Sequence, residues 1–197
     1  MAVALAFSPP IMTDDELLAR LAGGDRGSLD ELFKRYRLLA YRVAHRLLGN
    51  EADALDAVQD GFVKALTHLS GFQGRSTFKT WLLRVVSNAA LDLGRQRGRR
   101  EVLSLDAVRP GEHEHVDLLT VENASAGLER ADMRQALDQA LAMLPEAQRR
   151  TFVLHADAEL SYREVAEVLG ISVGTVMSRL YYARQKLRVH LDKWMKK

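Results

Sequence analysis

Residues 160–188 constrain the fold of this chain more than any other stretch, because they have the pattern of two short helices joined by a tight turn. Ser161 and Glu164 have the spacing of a capping box, in which each side chain binds the other residue's backbone N–H at a helix start. Gly170 stands where that helix has to end, since glycine readily adopts the left-handed conformation of a helix C-terminus. Ser172 is then expected to cap a second helix.

The second of these helices has one apolar stripe and a polar, basic remainder. The stripe recurs at spacings of 4, 3 and 4 residues, as in a half-buried helix, and comprises Val176, Leu180, Ala183 and Leu187. Two helices in this order form a helix-turn-helix, whose second helix enters the major groove of DNA. An ordinary hairpin of two helices has the same pattern, so the stretch alone leaves both interpretations open.

Charge is distributed in three blocks along the 197 residues. Residues 1–100 carry 15 basic and 11 acidic side chains, residues 101–130 carry 2 and 7, and residues 131–197 carry 11 and 8, giving +4, −5 and +3. Two basic blocks around an acidic one are typical of two nucleic-acid-binding modules and a connector, although ordinary surfaces also vary this much. The absence of cysteine excludes disulfides and thiolate metal sites and suits a reducing cytoplasm.

Helical periodicity predicts three helices before residue 70, and Thr13 is expected to cap the first, at 14–22. Ser28 and Glu31 predict a capping box for the second, which reaches Gly49. The third helix is predicted at 51–69, with a buried stripe of Leu55, Val58, Phe62, Leu66 and Leu69.

An acidic row occupies another face of the third predicted helix, and it comprises Asp53, Asp56 and Asp60, followed by Lys64. Like charges at this spacing repel each other by a few tenths of a kcal/mol per pair, and a basic partner would relieve the repulsion. A solvated helix face explains the same spacing equally well. Gly61 in this helix costs about 1 kcal/mol relative to alanine, which suggests close approach to a neighbour.

A glycine-punctuated loop at 70–76 precedes a helix predicted at 77–97. Phe78 and Trp81 belong to the expected core face of that helix, whereas Phe72 stands exposed between two glycines. The other face of the helix is polar and basic, with Thr80, Arg84, Asn88 and Arg95. An aromatic loop beside cations fits single-stranded nucleic acid, because bases stack on aromatic rings while cations neutralise phosphates.

Residues 101–127 lack helical periodicity and are predicted to be a flexible acidic linker. His113 and His115 lie there without further ligands at metal spacing, so we expect no metal site and no cofactor. The chain also has no HExxH, phosphate-binding glycine loop, GxSxG or catalytic triad, which argues against an enzyme and a small-molecule substrate. No segment has the length of a membrane-spanning helix, so direct membrane insertion is not expected.

Two separated stretches together resemble the sigma-70 family of bacterial transcription initiation factors, in its small extracytoplasmic-function group. The first comprises DALDAVQDGFVKAL at 53–66 and FKTWLLRVVSNAALDLGRQ at 78–96, and the second begins at LPEAQRRTFVL and runs over 144–188. The resemblance implies an all-α chain of two small helical domains joined by a flexible linker. The expected division is a disordered tail at 1–12, region 2 at 13–100, the linker at 101–127 and region 4 at 128–197.

The resemblance also implies partners, namely the clamp and β-flap of core RNA polymerase, promoter DNA and an anti-sigma protein, in the cytoplasm. The clamp-binding residues would be Asp53, Asp56, Gln59, Asp60, Phe62 and Lys64. The residues binding the −10 element would be Phe72, Gln73, Gly74, Arg75, Ser76, Lys79, Arg84, Asn88 and Arg95. The residues binding the −35 element would be Ser172, Thr175, Ser178, Arg179, Tyr182, Arg184 and Lys186.

The chain departs from the family pattern at several positions. Leu55 stands where an acidic residue is common and Leu66 where tryptophan is common, while Met177 and Tyr182 replace frequent cations of the reading helix. Because Met177 and Tyr182 depart from the pattern, the resemblance does not indicate which −35 sequence the chain would recognise. A helix-turn-helix repressor with a dimer- or ligand-binding N-terminal domain remains the alternative, and it predicts DNA binding without polymerase. A metal hydrolase using His113 and His115 is a third interpretation.

Overall fold

The computed structural model describes residues 12–103 and 124–195. Within these ranges the chain forms eight α-helices and one 3₁₀ turn and contains no strand, which confirms the predicted all-α class. The helices are α1 Asp14–Ala22, α2 Arg26–Leu48, α3 Glu51–Thr67, α4 Phe78–Leu103, α5 Ala124–Ala142, α6 Glu146–Ala156, α7 Tyr162–Leu169 and α8 Val173–Met195, with the 3₁₀ turn at Leu69–Gly71. The predicted N-terminal tail and His113 and His115 lie outside the described residues.

By compactness the chain divides into residues 1–38 and residues 39–197, with the boundary inside α2. In the first unit, Thr13 and Glu16 form the capping box of α1, as the capping prediction for Thr13 required. Asp14 accepts a hydrogen bond from Arg35 at 2.6 Å and another from the Tyr36 hydroxyl. That acceptor and burial raise the pKa of Tyr36, with burial the larger cause.

The predicted Ser28–Glu31 capping box is wrong. α2 begins at Arg26, three residues before the first helical residue that a Ser28 cap implies. Asp25 holds its first turn by accepting from the backbone N–H of Gly27 at 2.9 Å. The Ser28 hydroxyl donates to the same carboxylate at 3.0 Å from a buried position. Asp25, three residues before Ser28, accepts both hydrogen bonds, so the helix begins directly after the aspartate.

Small residues form the buried face of α3 against α4, where the sequence predicted a leucine stripe. The buried residues are Ala54, Ala57, Val58, Gly61, Phe62 and Ala65. Leu55 and Leu66 are exposed, so their predicted burial is wrong, while Val58 and Phe62 are confirmed as core. Small side chains let two helix backbones approach closely, and that proximity outweighed the larger area that the leucines would have buried.

Helix lengths also differ from the sequence predictions at several ends. α3 stops at Thr67, because the chain then enters the 3₁₀ turn at Leu69–Gly71. α4 continues past the predicted end at residue 97 to Leu103, and α5 begins at Ala124, so both helices extend into the predicted linker at 101–127. Leu141 and Leu144 are buried, and Pro145 precedes the first residue of α6.

The helix-turn-helix formed by α7 and α8 follows the sequence prediction closely. Ser161 and Glu164 form the capping box, and Gly170 has the left-handed φ of 63°. The backbone N–H of Ile171 reaches back to the carbonyl of Ala166 at 3.0 Å, which completes the end of α7. The predicted stripe of α8 is buried, and α7 buries Val165, Ala166 and Val168.

No helix within residues 12–103 and 124–195 combines the length and the apolar character that crossing a membrane requires.

Candidate nucleic-acid interface

The outer face of α3, which comprises Leu55, Asp56, Gln59, Asp60 and Val63, faces solvent. Leu55 and Val63 are each about half exposed, at 50% and 52%. Asp60 forms an ion pair with Lys64 at 2.7 Å, so Lys64 neutralises one carboxylate of the acidic row. Two apolar side chains between carboxylates make this face suitable for a basic partner that also buries apolar surface.

Asp53 and Phe62 stand apart from the outer face of α3. Asp53 accepts hydrogen bonds from its neighbour Asn50 and from Arg97 on α4. Partial burial raises the pKa of Asp53, but these hydrogen bonds bring it below its usual value overall. Phe62 is only 6% exposed and belongs to the α3–α4 core, so in this structure both residues hold α3 in place.

Three aromatic rings pack together where the glycine loop joins α4. The ring centroid of Phe72 lies 5.4 Å from that of Trp81 and 6.1 Å from that of Phe78. Phe78 is buried, whereas Phe72 and Trp81 are half-buried and keep part of their surface open. Offset and edge contacts at such distances are favourable for aromatic pairs, so Phe78 anchors the other two rings.

A cleft of about 220 Å³, called the loop cleft below, opens beside these rings. The loop and α4 supply Gly71, Phe72, Gln73, Arg75, Ser76, Thr80, Trp81 and Arg84 to its wall. Glu167 and Val168 of α7 complete the wall. Aromatic surface, amide and hydroxyl groups and two guanidiniums in one cleft match the chemistry of an unstacked base with its phosphate.

Four of the predicted −10 residues lie outside the lining of the loop cleft. Gly74 has a left-handed φ of 65° and shapes the loop. Lys79 lies in the first turn of α4, half-buried. Asn88 accepts a hydrogen bond from Arg150 of α6, and Arg95 forms an ion pair with Glu146 at 2.8 Å. The structure therefore brings together Phe72, Gln73, Arg75, Ser76 and Arg84 and separates the rest.

Sequence reasoning missed several residues at this site. Trp81 was assigned to the core and Thr80 only to a polar stripe, although both line the loop cleft. The spacing of Trp81 from Phe78 indicated the aromatic cluster but not its open edge. Glu167 and Val168 gave no sequence signal, because their contribution depends on long-range packing of α7 against α4.

Arg150 is the most deeply buried cation near this site. Its guanidinium donates to the Ser87 hydroxyl at 3.1 Å and to the Asn88 side-chain oxygen. Burial, opposed by the charge of Glu146, lowers the pKa of Arg150 to about 10. The guanidinium still carries its charge at neutral pH, so its hydrogen bonds to α4 are charge-assisted.

Polar side chains from the first turns of α8 face solvent, with Ser172 as the N-cap. The Ser172 hydroxyl accepts from the backbone N–H of Thr175 at 3.1 Å, and the Ser178 hydroxyl donates to the Thr175 carbonyl at 3.0 Å. Ser178, Tyr182, Arg184 and Lys186 are exposed, while Thr175 and Arg179 are half-buried. Side chains at the start of such a helix are those that reach base edges in a helix-turn-helix.

A second cleft, of about 390 Å³, lies between α7 and α8. Its floor is largely apolar, formed by Tyr162, Met177 and Tyr181, and Arg184 and Arg188 stand at its edge. Tyr181 also packs against the exposed Tyr182 at 5.4 Å between ring centroids. Arg184 therefore lies beside this cleft, which the sequence pattern alone did not indicate.

Among residues 12–103 and 124–195, no group of three or more His, Asp or Glu side chains has an arrangement that could hold a metal ion. This finding does not reach His113 and His115, which lie outside those ranges.

Two family models match this chain. The model described as Sigma-70 region 2 matches residues 32–100, and the model described as Sigma-70, region 4 matches residues 134–187. The first match contains α3, the loop and α4 up to residue 100. The second contains the helix-turn-helix, so the two matches correspond to the two stretches with a sequence resemblance.

Curated relatives match along most of the chain. The ECF RNA polymerase sigma factor SigE of Mycolicibacterium smegmatis is 36% identical over 178 residues, which is 87% of this chain and 66% of that protein. The RNA polymerase sigma-H factor of Pseudomonas aeruginosa is 32% identical over 88% of this chain and 91% of its own length. The ECF RNA polymerase sigma-E factor of Escherichia coli K12 is 32% identical over 89% and 93%.

Two solved structures have the same fold. The sigma factor RpoE of Bartonella quintana, in complex with the anti-sigma factor NepR, is 25% identical with a TM-score of 0.65, covering 82% of this chain and 97% of that one. CnrH, in complex with the cytosolic domain of CnrY, is 29% identical with a TM-score of 0.67, covering 91% and 97%.

Proposed function

Because the chain belongs to the sigma-70 family, in its extracytoplasmic-function group of transcription initiation factors, we propose that its surfaces divide the work of initiation between polymerase and promoter. The outer face of α3 binds the clamp of core RNA polymerase. The loop cleft binds the −10 element after melting, and the exposed side of α8 reads the −35 element. The protein acts by binding and positioning, without catalysis of its own.

The polymerase proposal is supported by the exposure and composition of α3. Asp56, Gln59 and Asp60 face solvent beside Leu55 and Val63, and only Asp60 has an ion-pair partner among them. A basic, partly apolar helix of the polymerase would neutralise the row and cover the leucine and valine. In this proposal Asp53 and Phe62 have a positioning role, because they contact α4 or the core instead.

The loop cleft is the single observation that carries the −10 proposal. Phe72 and Trp81 offer ring surface, Gln73 and Ser76 offer hydrogen bonds, and Arg75 and Arg84 offer positive charge. Unstacking a base costs a few kcal/mol, and aromatic stacking returns about 1–3 kcal/mol per base. Contacts with the DNA phosphates would supply the remaining binding free energy. Lys79, Asn88 and Arg95 would contribute to these contacts after releasing their partners within the protein.

The −35 proposal rests on the helix-turn-helix geometry. Thr175, Ser178 and Arg179 lie in the first two turns of α8, where base edges are read, and Tyr182 and Lys186 continue the same side. Neither the loop cleft nor α8 alone buries enough DNA surface for high specificity. When both are held on one polymerase, binding of one element raises the effective concentration of the other, so the combined affinity for the promoter increases.

The proposal extends to the organisation and setting of the protein. Region 2 would comprise residues 13–100 and region 4 residues 128–197, with an acidic linker between them, and the protein would work in the cytoplasm. RpoE and CnrH are described in complexes with an anti-sigma factor and with the cytosolic domain of CnrY, respectively. We propose an anti-sigma protein as a partner of this chain as well.

Binding assays with purified components test this proposal. The full chain should form a stable complex with bacterial core polymerase, and only that complex should bind promoter-containing duplex DNA tightly. A chain that binds such DNA tightly as a free dimer and ignores core polymerase would instead be a helix-turn-helix repressor, and the proposal would be wrong.

A further inference from the structure

We propose that Met177 selects thymine in the −35 element, by packing its side chain against the C5-methyl group of a thymine base in the major groove. The inference rests on the proposed function, because it takes the exposed side of α8 as the surface that reads this element. It adds a determinant of sequence preference that lies outside the set of residues expected to bind the −35 element.

The first observation is the exposure of Met177 in the second turn of α8, immediately before Ser178. Its side chain is 55% exposed, although methionine is apolar. Side chains in this part of a reading helix reach the edges of bases in the major groove. Methionine cannot donate a hydrogen bond to guanine O6 or N7, whereas an apolar side chain can bury the methyl group of thymine.

The second cleft surrounds Met177 with groups that suit a strand of duplex DNA. Met177, Tyr162 and Tyr181 form its apolar floor, and Arg184 and Arg188 stand at its edge. Guanidiniums neutralise phosphates and fix the register of a helix on DNA, while the contacts to base edges determine the preferred sequence. An apolar floor bordered by two cations is therefore complementary to thymine methyl groups beside a phosphate backbone.

Tyr181 extends the apolar surface of Met177 by one turn of α8, since the two residues are four positions apart. The Gln185 side-chain amide donates a hydrogen bond to the Tyr181 hydroxyl at 2.7 Å, and the Tyr182 ring packs against the Tyr181 ring. These contacts fix the Tyr181 ring before DNA arrives, which limits the entropy lost on binding. Methionine is flexible and polarizable, so its side chain adapts to a small methyl group beside a base edge.

Uracil substitution in DNA tests the methyl contact directly, because deoxyuridine lacks the C5-methyl group of thymidine and keeps its hydrogen-bonding groups. The complex of the full chain with core polymerase first selects DNA from a pool of duplexes that contain a randomised upstream segment. Each thymine of the selected −35 element is then replaced by uracil, one position at a time. At one or two positions we expect affinity to fall by roughly three- to fivefold, as for burial of one methyl group.

Met177→Ala should abolish this difference, so that the thymine and uracil duplexes bind the variant complex equally. Met133→Ala on α5 is the matched control, because Met133 is exposed to a similar extent, 52% against 55%. The control removes the same side chain and should retain the full difference between thymine and uracil. Comparing both duplexes with both proteins gives a double-mutant cycle, which separates the methyl contact from a general loss of affinity.

A change of preference provides a second measurement. Met177→Arg introduces a guanidinium at the same position, and arginine binds O6 and N7 of guanine. Selection with the complex of this variant should enrich guanine where the natural chain enriches the methyl-dependent thymine. Continued enrichment of thymine at that position would overturn the inference.

Three further results would also overturn the inference. The first is a selected −35 element with no methyl-dependent thymine, and the second is an equal uracil effect for Met177→Ala and the natural chain. The third is a loss of core-polymerase affinity in Met177→Ala, which would place this side chain in a protein contact. Failure of the natural chain to bind core polymerase, or to enrich any duplex with it, would overturn the proposed function and the inference with it.

Discussion

Gly61 of α3 lies directly against Val86 of α4. A β-carbon at residue 61 would stand 2.8 Å from Val86 Cγ2, closer than such atoms approach in folded proteins, and 3.0 Å from Val86 Cα. The glycine that weakens α3 as an isolated helix is therefore required where the two helices cross. This crossing turns Leu55, Asp56 and Asp60 outward, onto the face of α3 for which we propose polymerase binding.

Gly61→Ala is expected to lower the free energy of unfolding by about 1–3 kcal/mol, because overpacking outweighs the gain in helix propensity. Gly94→Ala in α4 is the matched control, since its β-carbon would meet only Leu48 Cδ2 at 3.3 Å, at the end of a flexible side chain. Chemical denaturation measures both. Equal stability changes for the two variants would contradict the close crossing.

Stability should depend on the ionisation of Glu164 in acid. Hydrogen bonds from the Ser161 hydroxyl and backbone N–H, and from Thr80, lower the pKa of Glu164 below its usual 4.5. The ionised carboxylate therefore stabilises the folded protein fully above pH 4.5, and that contribution is lost as the pH falls through the lowered pKa.

The variant Glu164→Gln isolates this contribution. Its unfolding free energy, measured by urea denaturation between about pH 6 and pH 3, should fall less steeply in acid than that of the natural protein, because it lacks one proton uptake on unfolding. Parallel curves for the two proteins would show that Glu164 does not have the lowered pKa.

Asp60→Arg should weaken binding to core polymerase while leaving duplex DNA contacts of α8 intact. The substitution reverses a charge on the outer face of α3 and breaks the ion pair with Lys64. Asp15→Arg makes the same charge change on α1 and should have little effect. Fluorescence anisotropy of labelled protein titrated with core polymerase measures the difference, and equal affinities would exclude this face as the clamp contact.

Arg179→Ala should weaken DNA binding and leave polymerase binding unchanged, which is the reverse of the effect expected for Asp60→Arg. With core polymerase bound normally, affinity of the complex for −35-containing duplex DNA should fall by about 1–3 kcal/mol, as expected for a base-contacting arginine. Arg134→Ala on α5 removes the same charge from an exposed position and serves as control. A loss of affinity that is the same for both variants would mean that Arg179 contributes only charge.

Local sequence chemistry predicted the helix-turn-helix nearly completely. The capping box of Ser161 and Glu164, the left-handed Gly170 and the stripe of α8 each depend on residues within one or two turns, and all are confirmed. α3 was harder, because both its leucines and its alanines recur at helical spacing. Only the distance to α4, set by Gly61 and Val86, decides which face is buried.

The contacts of α4 with α6 and α7 were beyond sequence reasoning for a different reason. Thr80 and Glu164 are 84 positions apart in the chain, and Arg150 and Ser87 are 63 apart. Glu164 already had a local explanation as a capping residue, and no local pattern marked Arg150 as a contact of α4. Neither the spacing nor the composition of the chain indicates which helices meet.

Run-off transcription with bacterial core polymerase on a genomic fragment library tests the central claim most directly. We expect discrete transcripts from new start sites, present only when the chain and core polymerase are combined and lost with Asp60→Arg. Transcripts identical to those of core polymerase alone would contradict it.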